Sequence, residues 1–243
     1  MTKEDTRISE HYLGERGEKY LKNFNDLTFG RLYQTRYFRP YCSDNLVLLD
    51  LGCADGLFLR NLPAQKRIGV EANPAARERC SELCEKQFCS IELHSKLETV
   101  ESETVDIAIS NHCLEHVLNP FREVKHIKRI LKAGGIFLLV APFDDWRKKR
   151  HQIWVPGDID NHLFTWSPMN LGNLLTEAGL QVEFANIYTR AWHPKFFWIY
   201  HSLGKNFFDF VCYFFGRLKN RREVFSKAIK SLQQSKPQGN MYG

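Results

Sequence analysis

A loop of small residues near position 50 has the composition of a ligand-binding turn. Residues 49–56 read LDLGCADG and lead directly into the apolar stretch LFLRNL. Small residues at Gly52, Ala54 and Gly56 let a backbone approach a bound molecule closely, because larger side chains would fill that space. A pyrophosphate-binding fingerprint needs glycine at its first, third and sixth positions. The third and sixth are Ala54 and Leu57 here, so we do not expect a dinucleotide phosphate at this turn.

A carboxylate follows the next apolar run and complements this loop. Glu71 comes at the end of RIGVE (67–71). A carboxylate at the end of the second strand of a nucleotide-binding unit can accept hydrogen bonds from both hydroxyls of a ribose. Together with the loop, Glu71 predicts a site for a nucleoside that lacks a pyrophosphate.

Two histidines after the apolar run at 105–110 are the candidate general bases. His116 is the first choice and His112 the second, since imidazole titrates in the range that proton transfer needs. Residues 112–116, HCLEH, formally match a zinc signature, which requires both histidines on one helix. They directly follow an apolar run instead, so we predict no metal ligand among them. A divalent ion assisting a hydroxylated substrate stays open as an alternative.

A long polar segment, residues 144–167, separates the next apolar run from the following helix. It contains acids, histidines and three tryptophans. Loops of this length at the carboxyl end of a sheet commonly bind substrates. The candidate substrate contacts are Asp158, Asp160, His162 and Trp166.

The elements that must position these residues alternate between strands and helices. Asn73-Pro74, Asn119-Pro120 and Ser167-Pro168 are helix starts, with ends at about Gln87, before Gly134 and at Gly179. Apolar runs predict strands at 45–52, 67–71, 90–94, 105–110, 136–141 and 181–187. This alternation predicts an α/β fold, a Rossmann-like and mostly parallel sheet with helices on both faces.

The ends of the chain differ from this central α/β unit. Residues 1–40 are predicted to form an amphipathic helical cap, residues 41–190 the ligand-binding core, and residues 191–243 an aromatic and basic helical extension. A last strand is predicted near 223–230. Eleven of the 32 aromatic residues lie between Trp192 and Phe215, and the net charge of +6 belongs entirely to the last 28 residues.

Four stretches, in the same order and at similar intervals, resemble the class I S-adenosylmethionine-dependent methyltransferases. They are LLDLGCADG (48–56), IGVEANP (68–74), DIAISNHCLEHVLNP (106–120) and LKAGGIFLLVAPF (131–143). The segment 162–182 also resembles the region after the fifth strand in this family. The resemblance covers roughly residues 45–190 and implies a methyltransferase whose cofactor is S-adenosyl-L-methionine.

The resemblance also implies roles for individual residues. Asp50 and the loop from Gly52 through Cys53 and Ala54 to Gly56 would lie against the methionine part of the cofactor. Glu71 would bind the ribose, and Ala72 and Ser95 would flank the adenine. The floor of the methyl-transfer pocket would be formed by Asn111, His112 and Leu114.

The acceptor is predicted from the C-terminal extension. Methyltransferases that resemble this chain and carry an aromatic and basic tail are often associated with bacterial cell-surface polysaccharide synthesis. We therefore expect transfer to a hydroxyl, rather than an amine, of a saccharide or other small acceptor, including a lipid-linked one. The alternatives are an RNA methyltransferase, a quinone or lipid O-methyltransferase, and a nucleoside-binding protein without catalysis. Nucleic acid is the less favoured partner, because the core is charge-neutral.

The location is predicted from both ends of the chain. The first twelve residues, MTKEDTRISEHY, contain no apolar segment of the kind found in a cleaved signal. We therefore expect a cytoplasmic protein. The aromatic and basic extension predicts peripheral contact with an anionic membrane at its inner face.

Overall fold

The computed structural model describes residues 12–15, 17–18, 28–143, 161–189, 197–218 and 222–231. Their strands are β1 (Val47–Leu51), β2 (Lys66–Val70), β3 (Glu92–His94), β4 (Val105–Asn111), β5 (Leu131–Pro142), β6 (Gln181–Thr189) and β7 (Arg222–Ile229). These strands form one sheet in the order β3-β2-β1-β4-β5-β7-β6. The pairs from β3 to β5 are parallel, and β7 is antiparallel to both of its neighbours. The predicted α/β, mostly parallel sheet is confirmed.

Helices cover both faces of this sheet. They are α1 (Thr28–Phe38), α2 (Leu57–Asn61), α3 (Pro74–Lys86), α4 (Pro120–Ile130), α5 (Pro168–Glu177) and α6 (Phe197–Leu218). On one face, α4 and α5 pack on alternate residues of β1 and β5, such as Leu49 and Leu139. On the other face, α1 and α2 pack on the intervening residues, such as Leu48 and Leu138. Continuous apolar runs are therefore required in the central strands, because both faces are buried.

Three of the helices begin where the sequence predicts. The Asn73 side chain accepts hydrogen bonds from the amides of Ala75 and Ala76, and Asn119 accepts one from Arg122. Ser167 forms a reciprocal capping box with Asn170. Each helix has proline in its first turn, where the missing amide hydrogen costs no intrahelical bond.

The end of α4 and the start of β5 differ from the sequence prediction. The helix was predicted to continue until Gly134, but it ends at Ile130, and β5 begins at Leu131. Leu131 takes an extended conformation and pairs with Val105 in β4. Gly134 then takes a φ of 76° and donates its amide to the carbonyl of Lys230. Strand pairing, rather than glycine, therefore ends this helix.

The last strand enters the interior of the sheet. β7, predicted at 223–230, lies between β5 and β6, with Glu223 opposite Pro142 on one side and Tyr188 on the other. Because β7 runs antiparallel, its first residues lie at the edge where the parallel strands end. This arrangement brings Glu223 to the carboxyl edge of the sheet, where ligands of such folds bind.

The aromatic extension contains α6, which is interrupted at Gly204 (φ 79°, ψ 173°). Ile199, Phe208 and Cys212 are buried against Tyr33 of α1. The opposite side of α6 exposes Trp198, Leu203, Phe207, Phe210, Tyr213 and Phe214. Among the described residues, no helix is long and apolar enough to cross a membrane.

Two glycines with free space around them test the backbone argument. No atom lies within 4 Å of a Cβ built on Gly172 in α5 or on Gly134. We expect Gly172→Ala to raise the free energy of unfolding by about 0.5–1 kcal/mol, because alanine is the better helix former. Gly134→Ala is the matched control and should lower it by about 1–2 kcal/mol, because φ is positive there. Thermal unfolding measures both; a stabilising Gly134→Ala would contradict the described conformation.

Candidate active site

The glycine loop between β1 and α2 is shaped by packing within the protein. The amide of Gly52 donates to the carbonyl of Val70, at 2.8 Å. A Cβ on Gly52 would lie 2.5 Å from the Cys113 sulfur, and one on Gly56 would lie 2.5 Å from the Cys80 sulfur. The sequence predicts that these glycines make room for a ligand. In the structure, the space beside them is already filled by cysteine side chains.

The middle of this loop joins the two strands that carry the site. Ala54 has a φ of 49°, and its amide donates to Glu71 Oε2 at 3.0 Å. A left-handed conformation at alanine costs about 1–2 kcal/mol, so the loop is held there by its contacts. The Cys53 side chain is buried in the core. Only the backbone of Cys53 therefore remains for its predicted contact with the cofactor.

Glu71 directly follows β2, and both of its carboxylate oxygens lie at the loop. Oε1 accepts the Asn73 amide at 2.9 Å, and Oε2 accepts the Ala54 amide. Burial raises the pKa of Glu71, although these two amides oppose the rise. Each oxygen of a carboxylate has a second lone pair. Glu71 can therefore still accept hydrogen bonds from two hydroxyls, as its predicted ribose contact requires.

Asp50 is a buried carboxylate that the described residues leave unsatisfied. It is 1% exposed, and neither of its oxygens has a hydrogen-bond partner among the described residues. Burial raises its pKa well above the usual range; Arg31 opposes this rise, whereas Glu71 and Asp55 increase it. A buried, unpaired acid beside two further carboxylates is a favourable environment for a cationic group.

The two predicted adenine contacts lie beyond β2 and β3. The carbonyl of Ala72 accepts a hydrogen bond from Arg77 Nη1 at 2.9 Å. Ser95 follows β3 and is exposed. Both residues are at the carboxyl edge of the sheet, on the same side of the loop as Glu71.

The residues after β4 connect the sheet to α1 and β7. Asn111 Nδ2 donates to Gln34 Oε1 at 3.2 Å, and His112 Nε2 is 3.0 Å from Glu223 Oε1. Glu223 Oε1 also accepts from Gln34 Nε2 at 2.8 Å. Leu114, by contrast, is fully buried in the core. Its side chain supports the predicted pocket floor from below and does not line it.

The electrostatics of His112 do not favour its predicted use as a base. Burial lowers its pKa, but the adjacent carboxylates of Glu115 and Glu223 outweigh burial and raise the pKa to about 9. Imidazole that is protonated at neutral pH holds no free electron pair for proton abstraction. His112 is therefore a cation that joins two buried carboxylates.

Close to His112, three side chains come together: Glu115, His116 and His162. We call them the Glu115 cluster. His116 Nε2 lies 3.7 Å from Glu115 Oε1, and the rings of His116 and His162 are 4.8 Å apart. The Tyr12 hydroxyl contacts His116 Nδ1 at 2.8 Å. Burial raises the pKa of Glu115, but His112, His116 and His162 outweigh it and lower the pKa.

Of the other predicted acceptor contacts, Trp166 is the one that the structure describes. Trp166 is 5% exposed and stacks on Phe164, with ring centroids 5.9 Å apart. Its side chain packs in the core, and its backbone joins Phe143 at the end of β5. Its contact with an acceptor stays a prediction. Asp158 and Asp160 lie outside the described residues.

Sequence reasoning missed the contribution of α1 and β7. Arg31 Nη2 pairs with Asp55 Oδ1 at 2.9 Å, and Gln34 and Tyr37 both donate to Glu223. The three helix residues are spaced by three, so they share one face. Glu223 is the single acid among the last 28 residues of the chain. This isolated acid was the signal from which a buried functional carboxylate could have been inferred.

An aromatic groove adjoins Glu223 on its far side. It has a volume of about 610 Å³. Tyr37 separates it from the His112–Glu223 pair, and Arg36 and Asp209 face each other at 4.0 Å beside it. The lining residues are Arg36, Tyr37, Pro40, Tyr41, Tyr188, Asp209, Phe210, Tyr213 and Phe225.

Comparisons with known proteins agree with this geometry. A family model described as a methyltransferase domain matches residues 27–184. No curated protein matches the sequence. Three solved structures share 14–16% sequence identity with the chain, which shows a common fold.

The first of these is a chain from the complex between the Haloferax volcanii Trm112 methyltransferase activator and a proposed methyltransferase. Its TM-score is 0.65 at 15% identity, and the match covers 89% of this chain and 96% of that one. The second is geranyl diphosphate C-methyltransferase from Streptomyces coelicolor, with Mg²⁺, geranyl diphosphate and S-adenosylhomocysteine. Its TM-score is 0.60 at 14% identity, over 93% and 89% of the two chains. The third is the [4+2]-cyclase SpnF, with a TM-score of 0.59 at 16% identity, over 84% and 82%.

The sheet order, the loop after β1 and the acid after β2 define an S-adenosylmethionine-dependent methyltransferase. The chain belongs to the methyltransferase domain family, whose model spans more than half of it. The cofactor fits the described residues, because its cationic groups match the unsatisfied carboxylate of Asp50 and its ribose matches Glu71.

Asp50→Asn tests this assignment. We expect the cofactor-free variant to melt at a higher temperature, because a buried carboxylate without a partner is removed. We expect S-adenosylhomocysteine to bind at least about tenfold more weakly, since a hydrogen bond to a charged group contributes about 1.5–3 kcal/mol. Calorimetric titration and thermal unfolding measure the two effects.

The pH dependence of Asp50→Asn has a defined sign. The folded protein holds a proton on Asp50 more tightly than the unfolded chain does. The wild type should therefore lose stability relative to the variant as pH rises above about 4. Asp44→Asn, at an exposed position, is the control and should change neither property. Unchanged cofactor affinity in Asp50→Asn would contradict the assignment.

Proposed function

We propose that the protein transfers a methyl group to a hydroxyl oxygen of an acceptor with a large apolar part, and that a lipid-linked saccharide is its substrate class. The carbon–sulfur bond of the cofactor breaks, the oxygen–carbon bond forms, and the hydroxyl proton leaves. The products are the methyl ether and S-adenosylhomocysteine. The observation that carries the proposal is the aromatic groove beside the His112–Glu223 pair.

The groove supports an acceptor that is apolar but carries hydroxyls. Its walls are aromatic, and several of them end in phenolic hydroxyls, as in Tyr41, Tyr188 and Tyr213. Such rings offer apolar area together with hydrogen-bonding groups. The Tyr37 hydroxyl donates to Glu223 Oε2 at 3.2 Å, and it therefore connects the groove to the residues after β4.

The residue that takes up the hydroxyl proton is proposed to be His116, which lies next to His112 but outside the His112–Glu223 pair. Because His112 is held as a cation, His116 is the better of the two predicted histidines. Its Nδ1 is engaged by Tyr12, which fixes the ring and directs Nε2 toward Glu115. In this arrangement, alignment of donor and acceptor supplies most of the rate enhancement, and proton removal adds to it.

The exposed side of α6 supports peripheral binding to a membrane. Seven large apolar side chains are exposed on this helix, and Phe210 and Tyr213 also line the groove. An apolar face followed by basic residues, here GRLKNRR, is typical of interfacial helices on anionic lipid. A lipid-linked acceptor bound at that surface would enter the groove from the same side.

A quinone or other hydroxylated lipid is the second candidate, because the same aromatic walls would bind it. Incubation with radiolabelled S-adenosylmethionine and three acceptors separates the candidates: a lipid-linked saccharide, the free saccharide and a hydroxylated quinone. We expect the lipid-linked saccharide to be labelled at least about tenfold faster than the free one. Labelling of the quinone alone would replace the proposed class with the second candidate.

Phe210→Ala tests the groove itself. Phe210 lines the groove and is 66% exposed, so its loss should change folding little. We expect KM for the acceptor to rise about 5–20-fold with little change in kcat, because apolar contact is lost equally in the ground and transition states. Phe214→Ala, an exposed phenylalanine of α6 outside the groove, is the control. Equal effects of the two substitutions would remove the groove from the proposal.

Flotation with vesicles of anionic phospholipid at low salt tests membrane binding. We expect the wild type to float and the combined Trp198→Ser, Phe207→Ser and Phe214→Ser variant to stay at the bottom. Phe88→Ser is the matched control, because Phe88 is 99% exposed but lies apart from α6. A wild type that fails to float, or a triple variant that floats, would contradict membrane binding through this helix.

A further inference from the structure

The Glu115 cluster has the composition and spacing of a metal centre. Glu115, His116 and His162 each direct one donor atom into a common space, and these atoms lie within 4.8 Å of one another. Nitrogen and oxygen ligands lie about 2.1 Å from a divalent transition metal, so side-chain movements of about an ångström would let all three share one ion.

Glu115 is an acidic side chain in a fully buried position. It is 0% exposed, and neither oxygen accepts a hydrogen bond of good geometry from the described residues. His112 Nδ1 lies 3.4 Å and His116 Nε2 lies 3.7 Å from Glu115 Oε1. A fully buried carboxylate is costly unless hydrogen bonds or a metal satisfy it. An ion bound between Glu115 and the two histidines would satisfy it.

The surroundings orient the donors of the cluster. The Tyr12 hydroxyl at His116 Nδ1 leaves Nε2 facing Glu115, and such contacts typically fix the ring of a metal-bound histidine. The amides of Leu163 and Phe164 donate to the Glu115 carbonyl at 2.9 and 3.3 Å. These two bonds hold the backbone beside His162 against the turn that carries Glu115 and His116.

We propose that Glu115, His116 and His162 bind one divalent first-row transition metal ion. Two imidazoles and one carboxylate suit zinc, iron, cobalt or manganese better than magnesium, which prefers oxygen ligands alone. The site differs from the H-x-x-E-H zinc signature, because His112 faces Glu115 and Glu223 instead of sharing a helix face with His116. The proposed ligand set departs from the sequence prediction that no metal ligand lies among residues 112–116, and Co²⁺ titration decides between the two.

The place of the ion in the reaction rests on the proposed function. Three protein ligands would leave coordination positions open, and His162 at the rim of the cluster is half-buried. A coordinated hydroxyl of the acceptor has a lowered pKa. Its proton would then pass to bulk water and not to His116, while the exchange of the carbon–sulfur bond for the oxygen–carbon bond is unchanged.

Titration of the untagged, full-length protein with Co²⁺, followed by visible absorption and calorimetry, tests the site. We expect one ion per chain in the wild type. His162→Ala should weaken binding by about 100-fold or more, since loss of even a second-shell contact costs about 10–100-fold. Glu115→Gln should have the same effect. The control is His126→Ala, which removes a histidine that also contacts a glutamate, Glu98, outside the cluster.

Thermal unfolding and binding of S-adenosylhomocysteine are measured on every variant. Because Glu115 is buried, Glu115→Gln can unfold the protein, whereas the half-buried His162 tests the same site with less risk. No stoichiometric Co²⁺ binding, or binding that His162→Ala leaves intact, would overturn the metal site. If S-adenosylhomocysteine still binds in that case, the methyltransferase assignment stands without the metal.

Discussion

The buried carboxylate of Glu223 is the contact on which the candidate active site depends. It joins three parts of the chain that are distant in sequence: Gln34 and Tyr37 of α1, His112 after β4, and its own strand β7. Burial of a carboxylate at this depth is costly unless donors surround it, and Gln34, Tyr37 and His112 surround this one. The same donors therefore fix the position of α1 over the carboxyl edge of the sheet, where Arg31 also meets Asp55 of the loop.

The two halves of this edge differ in character. Around the loop, Asp50, Asp55 and Glu71 bring three carboxylates close together, on the side where the cationic cofactor is predicted to bind. Beyond Glu223, the aromatic groove between α1 and α6 offers apolar area. His112 lies between the two regions as a cation shared by Glu115 and Glu223. Charge thus separates the cofactor side from the acceptor side of the proposed reaction.

Most of the fold could be predicted from local sequence, because buried parallel strands require continuous apolar runs and Asn-Pro or Ser-Pro pairs begin helices. The end of α4 could not, since pairing of Leu131 with Val105 overrides the local helical pattern. The turn after β1 and the acid after β2 could likewise be located from spacing, whereas their contacts with the cofactor stay a prediction. Glu223 and Gln34 belong to the candidate site only through long-range contacts, which the spacing of residues along the chain does not reveal. The burial of Trp166 likewise follows from tertiary packing and has no local signal.

The position of β7 has a consequence for biosynthesis. Both β5 and β6 pair with this strand, which lies more than thirty residues after β6 in the chain. Until residue 229 leaves the ribosome, β5 and β6 each present an open strand edge with unpaired amides and carbonyls, which favours aggregation. A nascent chain also lacks Glu223 for the same period. The candidate active site can therefore be completed only after β7 has been synthesised, and the pairing of β7 with β5 and β6 is a late step of folding.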